Sequence, residues 1–210
     1  MIKNLKCKIC RRSGVKLFLK GEKCFSNKCP LIRKPYPPGP QSKKRRNFFS
    51  EYATQLSEKQ KLKRWYNLSE RQFKRYVKDV LGRKGHIGNA QKLFMQRLET
   101  RLDNVIFRSG FAFSRTQARQ LVNHGHFLLN DKKVNIPSCR VKNGDSIKLR
   151  KTSVKKAFFT DIALRIKTST QPSWLKLDIK KLEVKVVGEP TLEEAALPAQ
   201  ITTIFEFYSR

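Results

Sequence analysis

The sequence contains few acidic residues and no long apolar segment. Only 16 of its 210 residues are aspartate or glutamate, against 47 lysines and arginines, which gives a formal net charge of +31. No run of about 18 apolar residues occurs, and the first ten residues, MIKNLKCKIC, lack the apolar core of a secretory signal. We therefore expect a chain that is neither exported by such a signal nor embedded in a membrane. Its own carboxylates are too few to offset its charge, so a large anionic partner is expected.

The excess of positive charge narrows the class of partner. Nucleic acid is favoured, because each phosphate that a lysine or arginine neutralises releases condensed counterions. Membrane surfaces and polyphosphates carry the same sign of charge and remain alternatives. The chain is 39% hydrophobic, which is enough for one or two modest cores.

Catalytic motifs are also scarce. The sequence has no phosphate-binding glycine loop, no nucleophile elbow and no H-E-x-x-H pair. Its three histidines, His86, His124 and His126, are dispersed among basic loop residues, where solvation or an occasional phosphate contact is the usual role. We expect no enzymatic activity and no small-molecule substrate.

Four of the five cysteines lie at the start of the chain. Cys7, Cys10, Cys24 and Cys29 are spaced C-x2-C, then 13 residues, then C-x4-C. Two close pairs of thiolates match the tetrahedral shell of structural zinc, and a reducing compartment disfavours disulfides. An iron–sulfur cluster and metal-free thiols remain alternatives. Cys139 has no close partner in the sequence, and we expect it to pack in a small apolar niche.

The segments within and after the cysteine motif differ in predicted structure. An apolar V-x-L-x-L alternation between two glycines predicts a short hairpin within residues 11–23. The prolines of KPYPPGPQSKKRRN then predict an extended linker. The basic cluster on this linker is interpreted as a phosphate contact, with a solvated tail as the alternative; it consists of Lys43, Lys44, Arg45 and Arg46.

Local patterns predict the start of most secondary structure elements. In a capping box, a serine accepts a backbone hydrogen bond and the residue three positions later returns one. Three such pairs predict helix starts: Ser57 with Gln60, Ser69 with Gln72, and Ser114 with Gln117. We expect the second helix to end at Gly82, a long helix over 89–110, and the third to end at Gly125. HFLLN, SIKLR and the terminal ITTIFEFY are predicted strands, and Thr191 with Glu194 indicates one short capped helix.

Basic side chains form stripes on these predicted helices, and we expect them to recognise RNA through its backbone shape. An exposed, solvated face is the alternative. The candidate RNA-binding residues are Lys43, Lys44, Arg45, Arg46, Lys61, Lys63, Arg64, Arg71, Lys74, Arg75, Lys78, Arg83, Lys84, Arg97, Arg101, Arg115, Gln117, Arg119, Lys132 and Lys133.

The central part of the chain resembles a known domain. RLETRLDNVIFRSGFAFSRTQARQLVNHGHFLLNDKKVNIPSCRVKNGDSI closely resembles the RNA-binding domain named after ribosomal protein S-four. The flanking segments include both cysteine pairs, YPPG, QLSEKQKLKRWYNLSERQFKRY and the terminal EFYSR. They extend the resemblance to the bacterial-type ribosomal protein S-four family over nearly the whole chain.

The resemblance implies a structural constituent of the small ribosomal subunit that binds rRNA early and nucleates assembly of the 5′ domain. It implies a structural zinc ion on Cys7, Cys10, Cys24 and Cys29, and places 43–46 near the channel through which mRNA enters. It also implies an interface with the small-subunit protein S-five that affects decoding accuracy. The implied location is the ribosome in the bacterial cytoplasm, with an organellar ribosome as the alternative.

The expected fold class is α+β. The expected parts are a zinc-binding N-terminal arm and proline-rich linker over 1–46, a helical domain over 47–95 joined by the C-terminal segment 172–210, a module of two helices on a short sheet over 96–160, and a basic connection over 161–171.

An RNA-modifying enzyme that carries the same module is the rival class. TRLD, which ends at Asp103, resembles the R-L-D of pseudouridine synthases, whose aspartate is catalytic. Here, however, Asp103 lies at the start of the binding module itself, and no catalytic domain of sufficient size follows. We expect Asp103 to be a structural carboxylate that pairs with a nearby arginine. A free regulator that binds mRNA is a third interpretation.

Overall fold

The computed structural model describes residues 5–39, 50–82, 87–160, 162, 165–166 and 170–209. The chain divides into two compact units. Met1–Gln91 with Leu197–Arg210 forms the N-terminal unit, and Lys92–Ala196 forms the sheet unit. The fold is α+β, as expected. The C-terminal segment returns to the helical part at residue 197 and not at 172, because two strands that follow residue 172 extend the sheet of the second unit.

The first residues of the N-terminal unit form three short helices and no hairpin. The helices are α1 (Leu5–Ser13), α2 (Glu22–Phe25) and α3 (Pro30–Arg33), and α1 packs against α3. The hairpin predicted within residues 11–23 is wrong, because Phe18 has a φ of +48°, which interrupts extended backbone. The apolar alternation instead buries Leu17 completely.

Two longer helices follow, each capped by a serine. The hydroxyl of Ser50 accepts the Ala53 N–H, which starts α4 (Glu51–Trp65), so the start predicted at Ser57 is wrong. Ser57 lies inside this helix, since an earlier cap has already satisfied its first amides. The helix start predicted at Ser69 is confirmed: its hydroxyl accepts the Gln72 N–H and starts α5 (Glu70–Leu81), and Gly82 caps its end. The Gln72 side chain donates to the Tyr76 hydroxyl, so the reciprocal hydrogen bond of a capping box is not the one observed.

The last residues of the chain form a helix and not the predicted closing strand. This C-terminal helix (Ile201–Ser209) packs against α4 and α5. Ile201, Ile204 and Phe205 are buried at positions i, i+3 and i+4, which is the spacing of a helix face. In the short apolar segment ITTIFEFY this spacing competes with strand-like alternation, and packing against the two helices decides between them.

The single helix predicted over 89–110 is two helices, α6 (Ile87–Glu99) and α7 (Leu102–Arg108). The chain is extended at Arg101, where the 137–141 loop pairs with it. Leu102 N–H donates to the Cys139 carbonyl at 2.9 Å and Asp103 N–H to the Pro137 carbonyl at 3.2 Å. The loop therefore takes the amide donors that a continuous helix would have used.

The helix start predicted at Ser114 is confirmed, and the Gln117 side chain accepts the Phe113 N–H in place of the Ser114 N–H of a capping box. Ser114 accepts the Gln117 N–H and starts α8 (Arg115–Asn123). Gly125 lies two residues after this helix and has a φ of +66°, which favours glycine, and the amides of Gly125 and His126 donate to carbonyls of the last turn.

An antiparallel sheet of five strands completes the sheet unit. The strands are β1 (Phe127–Leu129), β2 (Lys132–Val134), β3 (Ser146–Leu149), β4 (Leu175–Asp178) and β5 (Glu183–Val186), in the spatial order β2-β1-β3-β5-β4. Only β1 and β3 coincide with predicted strands. Between β3 and β4 lie the short helix α9 (Lys151–Val154) and a 3-10 turn (Ala157–Phe159), and after β5 lies α10 (Leu192–Ala195), capped by Thr191 as predicted.

One face of the sheet and the pair α7–α8 enclose the main core of the sheet unit. Phe111 and Phe127 meet edge to face with centroids 5.5 Å apart, and the buried side of α7 packs here. Cys139 packs against this core, which confirms its predicted apolar niche. Within the described ranges no helix is both long and apolar enough to span a bilayer.

The carboxylate of Glu70 links the C-terminal helix to α4 and α5. It accepts hydrogen bonds from Lys59 Nζ at 2.7 Å, from Lys63 Nζ at 2.7 Å and from the Tyr208 hydroxyl at 3.0 Å. Partial burial raises the pKa of Glu70, but these hydrogen bonds outweigh it and lower the pKa to about 2. Burial and the hydrogen bond to Glu70 raise the pKa of Tyr208.

Acidification should weaken this junction. Because folding lowers the pKa of Glu70, its contribution to the unfolding free energy is present above the unfolded value of about 4.3 and disappears as the pH falls towards about 2. Urea titrations followed by circular dichroism should show a shallower acid loss of stability for Glu70→Gln than for the unmodified chain. Glu206→Gln, on the exposed side of the C-terminal helix, is the matched control. Identical pH profiles for Glu70→Gln and the unmodified chain would contradict this role.

Candidate nucleic-acid interface

The basic stripe predicted on α5 is exposed. Its members are Arg71, Lys74, Arg75 and Lys78. They occupy positions i, i+3, i+4 and i+7, so they lie on one side of the helix, while Phe73, Val77 and Val80 are buried on the other. Ser69 fixes the start of the helix and therefore its register. The stripe presents closely spaced cations of the kind that contact successive phosphates.

The candidate cations on α4 are partly neutralised within the N-terminal unit. Lys61 donates to Glu58 at 2.5 Å, and Lys63 donates to Glu70 at 2.7 Å. These two residues and Arg64 are half-buried. The charges of Lys61 and Lys63 therefore partly serve to stabilise the fold through these ion pairs.

The arginines predicted to display charge on the helix pair α7–α8 are largely internal. Asp103 holds Arg101 through two hydrogen bonds of 3.0 and 2.7 Å, and their side chains are only 5% and 3% exposed. Arg119 donates to the same carboxylate at 3.1 Å. The prediction that Asp103 is a structural carboxylate paired with an arginine is confirmed. Arg101 is thus buried in an ion pair with Asp103, and its RNA contact stays a prediction.

A second buried group lies beside the first. Arg108 forms two hydrogen bonds with Glu99, at 3.0 and 2.9 Å, and a third with the Ala195 carbonyl at 2.7 Å. Asn104 donates to Glu99 at 2.8 Å and accepts from Arg115 Nε at 2.8 Å. Arg115 is buried, with its guanidinium 4.5 Å from the centroid of the Phe107 ring, and its RNA contact stays a prediction. A buried guanidinium is tolerated only with such partners.

The remaining candidates have varied environments. Gln117 is half-buried and its side-chain oxygen accepts the Phe113 N–H at 2.9 Å, while Arg97 is also half-buried. Lys132 and Lys133 are exposed on β2. Six candidates lie outside the described residues: Lys43, Lys44, Arg45, Arg46, Arg83 and Lys84.

The sheet carries lysines that the sequence analysis missed. Lys176 and Lys185 are exposed partners across β4 and β5, and Lys148 lies on the same face of β3. Lys148 is hydrogen-bonded to Asp131 at 2.9 Å. The alternation in LKLD and EVKV is the signal for these strands, because every second residue of a strand faces the same side.

The four N-terminal cysteines converge on one place. Cys7, Cys10, Cys24 and Cys29 line a cavity of about 20 Å³, and all are free thiols. Burial raises the pKa of Cys10, and the other three sulfurs raise it further. The Lys20 N–H donates to Cys24 Sγ at 3.4 Å. In the part of the chain that the structure describes, no three His, Cys, Asp or Glu side chains have the arrangement of a metal centre. Four thiol sulfurs are suitable ligands for zinc, but their arrangement in this structure is not that of a formed metal site.

One histidine differs from its predicted role. His126 is buried, its Nδ1 lies 2.9 Å from the Ser153 hydroxyl, and its ring meets Phe159 edge to face. Burial lowers the pKa of His126, and the charges of Lys156, His124 and Arg150 lower it further. His126 is therefore a packing residue, whereas His124 is exposed and His86 lies outside the described residues.

Removing the charge of Asp103 should destabilise the sheet unit. In Asp103→Asn the side chain keeps its size, but the buried Arg101 guanidinium loses its counterion. We expect the unfolding free energy to fall by about 3–5 kcal/mol in urea titrations followed by circular dichroism. The control is Asp131→Asn, which removes an exposed partner of Lys148 and should leave stability nearly unchanged. Similar stability of both variants would contradict the structural role of Asp103.

The charge and the fold first indicate the general class to which this chain belongs. A charge of +31, an exposed basic helix and a helix pair on an antiparallel sheet are features of a nucleic-acid-binding protein. Residues 100–147 match the S4 domain, and residues 2–99 match the family described as ribosomal protein S4/S9 N-terminal domain.

Full-length relatives carry the comparison further. The chain is 45% identical over 204 residues to the small ribosomal subunit protein uS4 of Thermus thermophilus, covering 97% of this chain and 96% of the relative. It is 46% identical over 204 residues to uS4A of Symbiobacterium thermophilum and to uS4A of Bdellovibrio bacteriovorus, with the same coverage. The chain belongs to the small ribosomal subunit protein uS4 family. This membership confirms the predicted family of structural ribosomal proteins and argues against the rival class of RNA-modifying enzymes.

Proposed function

We propose that the chain is a structural constituent of the small ribosomal subunit and binds its rRNA directly. The exposed stripe on α5 carries the proposal, because its cations protrude from a helix whose other side is fixed in a core. The proposed location is the ribosome in the bacterial cytoplasm, with an organellar ribosome as the alternative. Neighbouring small-subunit proteins are proposed partners.

Binding proceeds by electrostatic attraction and then by a fit of shapes. The exposed cations displace counterions from rRNA phosphates, which makes the affinity steeply dependent on salt. The ion pair of Arg119 with Asp103 and the hydrogen bond of Arg115 to Asn104 hold α8 against α7, so that little conformational entropy is given up on binding. Contacts to phosphates and sugars position the protein on folded RNA without reading individual bases.

More specific roles follow from the family resemblance. The chain binds early to the 5′ domain of the rRNA and nucleates its assembly. Residues 43–46 contact mRNA where it enters the subunit, and an interface with the small-subunit protein S-five contributes to decoding accuracy. The similarity to uS4 relatives over 97% of this chain supports these roles.

A structural zinc ion is proposed for the N-terminal arm. Its ligands would be Cys7, Cys10, Cys24 and Cys29, whose sulfurs already line one cavity. Zinc would link helices that have little core of their own and so supply folding free energy.

The stripe on α5 should account for a defined part of the salt dependence. A variant with Arg71→Gln, Lys74→Gln, Arg75→Gln and Lys78→Gln should bind a 5′-domain rRNA fragment more weakly, and its salt slope should fall by about one for each phosphate that is no longer neutralised. The matched control changes four exposed lysines of the β4–β5 hairpin to glutamine: Lys176, Lys180, Lys181 and Lys185. Filter binding over a salt series, with unrelated structured RNA as competitor, measures both. Equally weakened binding in both variants would mean that only net charge matters.

Metal loading should depend on the four cysteines alone. The purified chain should contain one zinc per molecule, and Cys24→Ser should lower this content and the hydrogen-exchange protection of residues 5–39. Cys139→Ser, which lies outside the motif, should retain both. Iron absorbance would indicate the cluster alternative, and equal protection with and without metal would contradict the structural role.

A further inference from the structure

Phe25 is unusually exposed for an aromatic residue. It keeps 64% of its surface accessible, the largest fraction among the exposed large hydrophobic residues of the described chain. It ends the short helix α2 next to Cys24, which is buried. A single exposed leucine would need no explanation, but a large aromatic ring directed into solvent is a common mark of a binding surface.

The Phe25 ring rests on a second ring that is itself supported. Phe18 stacks against it with centroids 5.0 Å apart and planes 30° apart. Trp65 of α4 meets Phe18 edge to face at 5.8 Å. The positive φ of Phe18, an uncommon conformation for this residue, sets the direction of its ring. Because Phe18 covers one face of Phe25 and the ring stays largely exposed, the other face is open to solvent.

The surroundings of this stack are basic. Lys20 and Lys23 line the cysteine cavity together with Cys24, and Lys28 is exposed nearby in the chain. Glu22 is the only acidic residue in the sequence of segment 5–39. An anionic partner is therefore favoured over an ordinary apolar protein surface.

We propose that Phe25 is a stacking platform for one unpaired nucleobase of the bound rRNA. RNA is the anionic partner that also carries planar aromatic groups, so it matches both the ring and the surrounding lysines. An unpaired base is required, because bases in a duplex already stack on each other. The inference rests on the proposed rRNA binding and adds a contact with a base to contacts with phosphates.

The platform accepts any base. Stacking involves the π-face that all bases share, so the site contributes affinity without reading sequence. Its contribution is also nearly independent of salt, because no counterion is released when an uncharged ring covers a base. That property separates Phe25 from the lysines around it.

The test compares variants that keep or remove the ring. Phe25→Ala and Phe25→Leu should raise the Kd for the 5′-domain rRNA fragment by about 5- to 100-fold with an unchanged salt slope. Phe25→Tyr should bind like the unmodified chain. Ile32→Ala is the matched control, since Ile32 is an apolar residue of the same arm with 50% exposure and no ring. Circular dichroism and metal content identify any variant that alters the fold. If Phe25→Ala alters it, the comparison of Phe25→Leu with Phe25→Tyr provides the test.

Ultraviolet crosslinking gives an independent readout. Digestion of the irradiated complex should yield an RNA-linked peptide that contains Phe25, and the Leu variant should lose it. Wild-type affinity of the Leu variant, or the absence of this crosslink, would overturn the platform. A variant that binds naked rRNA normally but fails to enter small subunits would show that Phe25 contacts a protein, which also overturns it. If the unmodified chain does not prefer the rRNA fragment over unrelated RNA, the proposed function fails instead.

Discussion

The scarcity of carboxylates governs how this chain folds. With 16 acidic residues against 47 basic ones, the interior can neutralise only some of its cations. Two carboxylates are each shared by two cations: the buried Asp103 holds Arg101 and Arg119, and the partly exposed Glu70 holds Lys59 and Lys63. Asp103 joins α7 to α8 and Glu70 joins α5 to α4, so electrostatics and packing specify the same fold.

This sharing separates the basic residues into two groups. Arginines beside Asp103 and Glu99 are committed to the fold, and Arg119 joins α8 to α7 through Asp103. Exposed cations such as those on α5 have few carboxylates to oppose them and repel one another. RNA phosphates relieve that repulsion. The same excess of positive charge that destabilises the free protein therefore favours its complex with RNA.

Capping patterns in the sequence predict helix starts correctly where the hydrogen-bonding partner lies a few residues away in the chain. Ser69, Ser114 and Thr191 each cap a helix by accepting an amide three residues away. The Ser57 pair has the same pattern but lies inside α4, because Ser50 begins that helix earlier. The terminal segment was misjudged because a short apolar run fits both periods, and only its packing against α4 and α5 selects the helix.

The sequence by itself determined the family, the anionic class of partner, most capped helix starts and the basic stripe on α5. These follow from composition, motif order and contacts within a single turn. Only the tertiary structure decided which arginines are internal, because Arg115 reaches Asn104 and Arg119 reaches Asp103 across separate helices. It likewise decided that β4 and β5 join the sheet and that Phe25 rests on Phe18. Such choices depend on burial, and burial is set by segments that the local sequence does not contain.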